Sequence, residues 1–142
     1  MKTSIIYNSH SGTTEAYATE IGNYLSSQGA ECKVSSIADY DKEFLHSSDL
    51  VLLGCWTSGL MIFAQHPDRV WKEFAKGFPE IRNKRIALFT TYKIATGSMF
   101  RKMGKILNDK IETPVATLKA RTSKLTDENK TALEELLNSW IA

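Results

Sequence analysis

One stretch near the N-terminus decides how the rest of the chain is interpreted, and it reads Ile5-Ile6-Tyr7-Asn8-Ser9-His10-Ser11-Gly12-Thr13-Thr14-Glu15. The apolar run that ends at Tyr7 predicts a strand, beginning at Thr3. From Thr13 to about Gln28, apolar residues recur at helical spacing, which predicts a helix. A polar loop with a single glycine lies between these two elements. The stretch is therefore typical of the first β-α unit of an α/β domain.

The same alternation continues to the C-terminus. Further strands are predicted at residues 31–37, 50–53, 85–90 and 115–118, the last as an edge strand because Pro114 precedes it. The predicted helices are a short one before Ser48, one opened by Pro67 and Asp68 that carries Val70, Trp71, Phe74 and Ala75, one at residues 98–107, and one capped by Thr126. Helices between buried strands require right-handed crossovers. We therefore expect one domain, residues 1–142, with a doubly wound five-stranded parallel sheet.

Length and composition exclude several classes of protein. The chain has 142 residues, of which 42% are hydrophobic and 24% charged, and its formal net charge is +2. These values predict a globular protein and argue against a disordered chain or a generic nucleic-acid binder. No apolar run reaches the roughly 20 residues that span a bilayer, and the N-terminus lacks the pattern of a signal peptide. Cys32 and Cys55 are too few for a disulfide framework, so a cytoplasmic location is expected.

Three loops at the predicted carboxyl ends of strands are candidates for a ligand site. The first, Asn8 to Thr14, offers hydroxyl groups, a glycine and the start of a helix, all of which suit a phosphate; the alternative is a simple helix cap. The other two, residues 54–59 and 90–97, each hold one large aromatic residue. Trp56 and Tyr92 could stack on a planar ring or could merely cover the end of the sheet.

The motif Ser9-x-Ser11-Gly12-x-Thr14 resembles the flavodoxin phosphate loop, [ST]-x-[ST]-G-x-T, behind the first strand. The resemblance implies a flavodoxin-like fold with strand order 2-1-3-4-5 and electron transfer through non-covalently bound FMN. It places the ring between Trp56 and Tyr92, with backbone N–H groups of residues 57–59 and 91–93 at its polar edge. No catalytic side chain and no metal ligand is expected. The predicted cofactor-binding residues are Ser9, His10, Ser11, Gly12, Thr13, Thr14, Cys55, Trp56, Thr57, Ser58, Gly59, Thr90, Thr91, Tyr92, Lys93 and Gly97.

Two other functions stay open at this point. The opening string and the string Arg85 to Tyr92 are also similar to flavodoxin-domain dehydrogenases that oxidise protoporphyrinogen with a quinone, although those chains are usually longer. Alternatively, the domain binds no flavin and serves as a binding module that uses its basic face for a partner. The apolar residues 60–63 would be a contact patch if exposed and a lid over the ligand if buried.

The charges are distributed unevenly. Residues 1–71 carry four basic and eight acidic side chains, whereas residues 72–142 carry fourteen and eight. Residues 82–124 alone hold eleven basic groups and two acidic ones. This segment is either a solvated helix face or a surface for an acidic redox partner or a small anionic substrate. Because Lys93 follows Tyr92, we expect the fully reduced, anionic flavin to be stabilised relative to that of acidic flavodoxins.

Overall fold

The computed structural model describes residues 1–58, 66–93 and 95–141. In chain order the elements are β1 (Lys2–Asn8), α1 (Thr13–Ser27), β2 (Glu31–Ser36), α2 (Lys42–Ser47), β3 (Leu50–Ser58), β4 (His66–Pro67), α3 (Arg69–Gly77), β5 (Arg85–Thr91), α4 (Met99–Leu107), β6 (Ala116–Ala120) and α5 (Asp127–Ile141). Apart from the two-residue β4, which pairs with β3 in the antiparallel direction, all these strands are parallel. The described helices include none that is long and apolar enough to cross a membrane.

The parallel strands lie in the order β2-β1-β3-β5-β6. With β4 set aside, this is the predicted order 2-1-3-4-5, and the predicted fold class is confirmed. The register is continuous across the sheet, because Ile5 of β1 pairs with Val34 on one side and with Leu52 on the other. The order reverses at β1, so the loops after β1 and β3 lie at the switch point where such sheets bind ligands.

Alternate residues of the strands build two cores, one on each face of the sheet. On one face, Ile5, Leu52 and Phe89 pack against α1 and α5. On the other, Ile6 and Leu53 pack against α3 and α4. Burial on both faces explains why the central strands are continuous apolar runs rather than alternating ones.

Strand β3 is five residues longer than predicted. The apolar run predicted a strand at residues 50–53, bounded by Gly54, with residues 54–59 in a loop. Instead β3 continues through Ser58, and Trp56 pairs with Thr91 of β5. Gly54 is needed within the strand because a Cβ there would lie 2.1 Å from the Phe89 ring. Thr90 and Thr91 likewise belong to β5 rather than to the loop after it.

The starts of α3 and β6 also differ from the prediction. Pro67 pairs with Thr57 in β4 and does not start α3, which begins at Arg69. Val70 is 56% exposed, since it lies about 100° around the helix from the fully buried Trp71. β6 begins at Ala116 rather than Val115, and it pairs with β5 alone among the described strands, as an edge strand does.

Four cations of the basic segment are used at the amino edge of the sheet, where the helices end. Lys84 donates to the carbonyl oxygens of His46 and Ser48 at the end of α2. The other three bind in the same way near the ends of α3, α4 and α5: Lys110 to Ala75 and Lys76, Arg82 to Asp109, and Arg85 to Leu136. Carbonyl groups at helix C-termini are unpaired and carry partial negative charge. These four cations therefore stabilise the fold, and the basic segment is not one continuous surface.

Candidate functional site

The loop between β1 and α1 is wrapped around the hydroxyl group of Ser9. Its Oγ accepts from the N–H of Gly12 at 3.1 Å and from the N–H of Glu15 at 3.3 Å. Gly12 has a φ of 92°, a left-handed conformation that favours glycine, and it occupies the position before α1. The backbone donors at the start of α1 thus converge on one point at the carboxyl edge of the sheet.

Two other hydroxyl groups of this loop are accessible. Ser11 is exposed and Thr13 half-buried, and their oxygens lie 3.4 Å apart. Thr14, by contrast, is buried, and its hydroxyl pairs with that of Thr91 on β5 at 2.7 Å. Thr14 therefore links the start of α1 to the end of β5. Any contact between Thr14 and a phosphate stays a prediction.

The ends of β3 and β5 are joined by a second set of hydroxyl contacts. The Thr90 hydroxyl donates to the carbonyl oxygen of Cys55 at 2.5 Å. Thr57 is consequently the donor in the 2.7 Å contact between its own hydroxyl and that of Thr90. Cys55 and Thr90 are fully buried, whereas Thr57 is half-buried. Of Cys55, Thr57 and Thr90, all predicted to bind the cofactor, Thr57 has the side chain that is accessible at the carboxyl edge of the sheet.

Trp56 contacts His10, a pairing that the sequence did not predict. The imidazole of His10 stacks on its indole, with ring centroids 4.5 Å apart and an interplanar angle of 25°. This contact joins the loop after β1 to the end of β3. One face of the indole is covered by His10, so a ring stacked on Trp56 must use the other face or displace the imidazole.

Tyr92 lies beyond the end of β5, and its N–H donates to the carbonyl oxygen of Ala120 at 3.2 Å. The expectation that this N–H faces the polar edge of a flavin is therefore wrong, because the bond continues the β5–β6 ladder. The ring has two cations near it: Lys119 Nζ is 6.0 Å and Arg121 Cζ 5.7 Å from its centroid. Lys93, the next residue, is exposed.

A carboxylate that the sequence analysis did not single out also lies at this edge. Asp68, at the position before α3, accepts from the side-chain amide of Asn8 at 2.9 Å. The same amide lies 3.8 Å from Cys55 Sγ, whose pKa burial raises to about 12. Asn8 and Asp68 are 60 residues apart, so only their meeting in space reveals the contact; a cap position before a helix was the one local signal.

The structure thus brings together the phosphate-loop residues, Trp56, Thr57 and Tyr92, at neighbouring strand ends. Gly97 lies in the following turn and has a φ of 50°. Ser58 ends β3. Gly59 and the apolar residues 60–63 lie outside the described residues.

The chain is similar to several known proteins. The family profile described as Flavodoxin matches residues 5–140. A flavodoxin from Megasphaera elsdenii is 31% identical over 94 residues, which span 66% of each chain. Among solved structures, the two-electron reduced Megasphaera elsdenii flavodoxin has a TM-score of 0.71 at 23% identity, covering 94% of this chain and 96% of that one. Oxidised flavodoxin 2 from Bacillus cereus has a TM-score of 0.72 at 19% identity, covering 99% and 98%.

Proposed function

Because this chain belongs to the flavodoxin family, we propose that it binds FMN without a covalent bond and transfers electrons through the flavin. The observation that carries the proposal is the loop between β1 and α1, which the bonds from the Gly12 and Glu15 N–H groups to Ser9 Oγ hold at the start of a helix beside the switch point of the sheet. Bound FMN supplies the redox chemistry, since its ring accepts and releases electrons. The protein holds the cofactor and sets the charge around it.

The loop from Ser9 to Thr14 suits the phosphate of FMN. Ser9 Oγ already accepts from the N–H groups of Gly12 and Glu15, so these two bonds fix the shape of the loop. The other N–H groups at a helix start, together with the helix dipole, attract an anion. The accessible hydroxyls of Ser11 and Thr13 add two further donors. The loop has no lysine or arginine, so neutral donors hold the phosphate.

Trp56 and Tyr92 suit the ring of the flavin. They lie at the ends of adjacent strands: Trp56 of β3 pairs with Thr91 of β5, and Tyr92 is the residue after Thr91. Adjacent strands are about 4.8 Å apart, so two aromatic residues at their ends can line one cleft. Stacking against an aromatic face adds about 1 kcal/mol beyond burial of area.

The charge around this cleft is mixed. Asp68 brings a carboxylate to the edge and Glu15 brings another in the first turn of α1, whereas Lys93, Lys119 and Arg121 bring cations to the Tyr92 side. A fully reduced flavin is anionic, so nearby cations stabilise it and nearby carboxylates destabilise it. Because the cations lie on the side of Tyr92, the predicted ring contact, we expect a less negative potential for the second electron than in acidic flavodoxins.

The partner in electron transfer is a redox protein with an acidic surface or a small anionic substrate. The support is the exposed positive charge of Lys93, Lys119 and Arg121 beside the cleft. A cytoplasmic location is part of the same proposal, and the free thiols of Cys32 and Cys55 fit a reducing compartment.

Reconstitution with FMN tests the proposal. The purified chain, stripped of any flavin and titrated with FMN, should quench FMN fluorescence with a stoichiometry of one. Riboflavin, which lacks the phosphate, should bind more weakly. A redox titration of the complex then gives both potentials, and a very low second potential would contradict the charge argument. Absence of FMN binding would refute the function.

An enzyme of the same fold is the second candidate. The sequence support for it is the opening string and the string Arg85 to Tyr92. The opening string also carries the flavodoxin motif and so does not separate the two candidates, and Ile86 to Phe89 are buried strand residues whose apolar side chains serve packing. That similarity therefore carries little weight beside the family match. Turnover with a quinone or NAD(P)H by the FMN-loaded protein would establish an enzyme, and the lack of turnover would leave the carrier.

A further inference from the structure

We propose that Tyr92, Lys119 and Arg121 form a docking surface for an acidic protein partner, named here the Tyr92 surface. The proposal rests on the proposed function, since it specifies where the redox partner binds. It starts from the position of the two cations. Lys119, on β6, and Arg121, directly after β6, flank the buried Ala120, and both lie within 6.0 Å of the Tyr92 ring.

Within the described part of the chain, Lys119 and Arg121 do not bind carbonyl groups near helix ends, as cations at the amino edge of the sheet do. Lys84, Lys110, Arg82 and Arg85 are engaged with carbonyl groups near the helix ends. Among the described residues, the ion pairs are those of Lys33, Lys76 and Arg82, so neither cation of the Tyr92 surface is neutralised by a carboxylate. Asp127 and Glu128 lie nearby in the chain, in the first turn of α5, where they face the positive end of that helix.

The base of the surface is rigid. Asn129, which is 5% exposed, donates from its side-chain amide to the carbonyl oxygen of Lys119 at 3.3 Å. Its Oδ1 accepts from the buried Tyr17 hydroxyl at 2.8 Å and from the Thr126 N–H at 3.1 Å. The end of β6 is thereby tied to α1 and α5. Cations on a fixed backbone lose less entropy on docking than cations on a loose loop.

Geometry favours a protein partner over a small anion. The two cations are exposed, and an exposed pair with one carboxylate contributes little in water. A partner surface with several carboxylates engages both cations at once and is also steered toward them over a distance. Because Tyr92 is the predicted ring contact, a partner bound there lies beside the proposed FMN cleft.

The test uses poly-L-glutamate of about 20 residues as the acidic probe and citrate as the small-anion probe. Both are titrated into the isotopically labelled full chain with FMN added, and backbone amide shifts are followed by NMR. At low salt, with a Debye length of about 20 Å, poly-L-glutamate should shift the amides of residues 92–93 and 119–121. Citrate should shift them only weakly, and high salt should abolish both effects.

The double variant Lys119→Glu, Arg121→Glu should bind poly-L-glutamate about tenfold more weakly, as expected for two exposed pairs turned from attraction to repulsion. The matched control Lys76→Glu, Lys105→Glu makes the same change in net charge near the ends of α3 and α4. It should bind much as the wild type does.

Shifts located elsewhere, or an equal loss in both double variants, would overturn the proposal. Citrate binding as tight as that of poly-L-glutamate, with the same dependence on Lys119 and Arg121, would replace the docking surface by a small-anion site. FMN affinity is measured separately, and the amide shifts do not require FMN. A chain that bound poly-L-glutamate at this surface but no FMN would therefore refute the proposed function and not the surface.

Discussion

Replacing Trp56 by alanine should weaken FMN binding about 100-fold. A large aromatic side chain buries roughly 150–250 Å². Because Trp56 is partly buried against the core and His10 covers one face of its indole, at 4.5 Å between centroids, less than half of that area, roughly 80 Å², is left for the flavin ring. At about 25 cal/mol per Å² this area contributes about 2 kcal/mol, and stacking adds about 1 kcal/mol. A loss of about 3 kcal/mol is about 100-fold in the dissociation constant.

Fluorescence titration of the flavin-free variant with FMN measures this change. The control is Tyr24→Ala, which removes a half-buried aromatic ring on α1 whose hydroxyl bonds to Glu134, away from the predicted cleft. Its FMN affinity should stay within about twofold of the wild type. A urea unfolding curve for each flavin-free variant gives its free energy of unfolding, which distinguishes a loss of FMN affinity from a loss of stability.

His10→Ala then shows which face of Trp56 the ring uses. If the ring takes the free face, loss of the imidazole removes a support and FMN binds slightly more weakly. If the ring displaces His10, the variant binds FMN more tightly, because the stack no longer has to be broken. An unchanged affinity of Trp56→Ala would refute the reasoning altogether and place the ring elsewhere.

Three further outcomes are expected. Ser9→Ala removes the oxygen that accepts from two backbone N–H groups. Measured by fluorescence titration, FMN affinity should fall about tenfold and riboflavin affinity should stay unchanged. An equal loss of affinity for both ligands would place Ser9 away from the phosphate. Lys84→Met removes two hydrogen bonds from a charged donor at the end of α2. It should lower the free energy of unfolding by about 2–3 kcal/mol and the melting temperature, measured by calorimetry, by roughly 5–10 °C. A fall of less than about 2 °C would contradict the structural role of Lys84. Burial raises the pKa of Cys55 to about 12, so iodoacetamide at pH 8 should alkylate the more exposed Cys32 first, and rapid alkylation of Cys55 would show that it is not enclosed. The free energy of unfolding should also fall as pH rises above 9, because the thiol of Cys55 ionises at a lower pH in the unfolded chain than in the folded one.

The sequence was informative wherever a pattern is local. The loop between β1 and α1 could be predicted because strand, glycine turn and helix start follow one another in eleven residues. The β-α alternation likewise predicted the parallel sheet, since few topologies join buried strands through helices. Gly54 shows where local reasoning failed. It was interpreted as the end of a strand, yet it lies within β3 because the Phe89 ring fills the space that a side chain would need.

Charge shows the same division. The excess of basic residues between positions 82 and 124 is visible in the sequence, but what each residue does is not. Lys84 and Lys110 cap helix ends at the amino edge, while Lys119 and Arg121 reach the Tyr92 ring at the carboxyl edge. Spacing along the chain cannot separate these groups, because the direction of each strand decides at which edge a residue lies.

By itself, then, the sequence determined the fold class and the loop that suits a phosphate, since both depend on residues that are neighbours in the chain. Tertiary structure alone decided the contacts of the cleft: the imidazole of His10 on Trp56, the Asn8 amide on Asp68, and the cations beside Tyr92. Each joins residues from different β-α units. Their meeting depends on strand order and register, which arise only when the whole sheet packs.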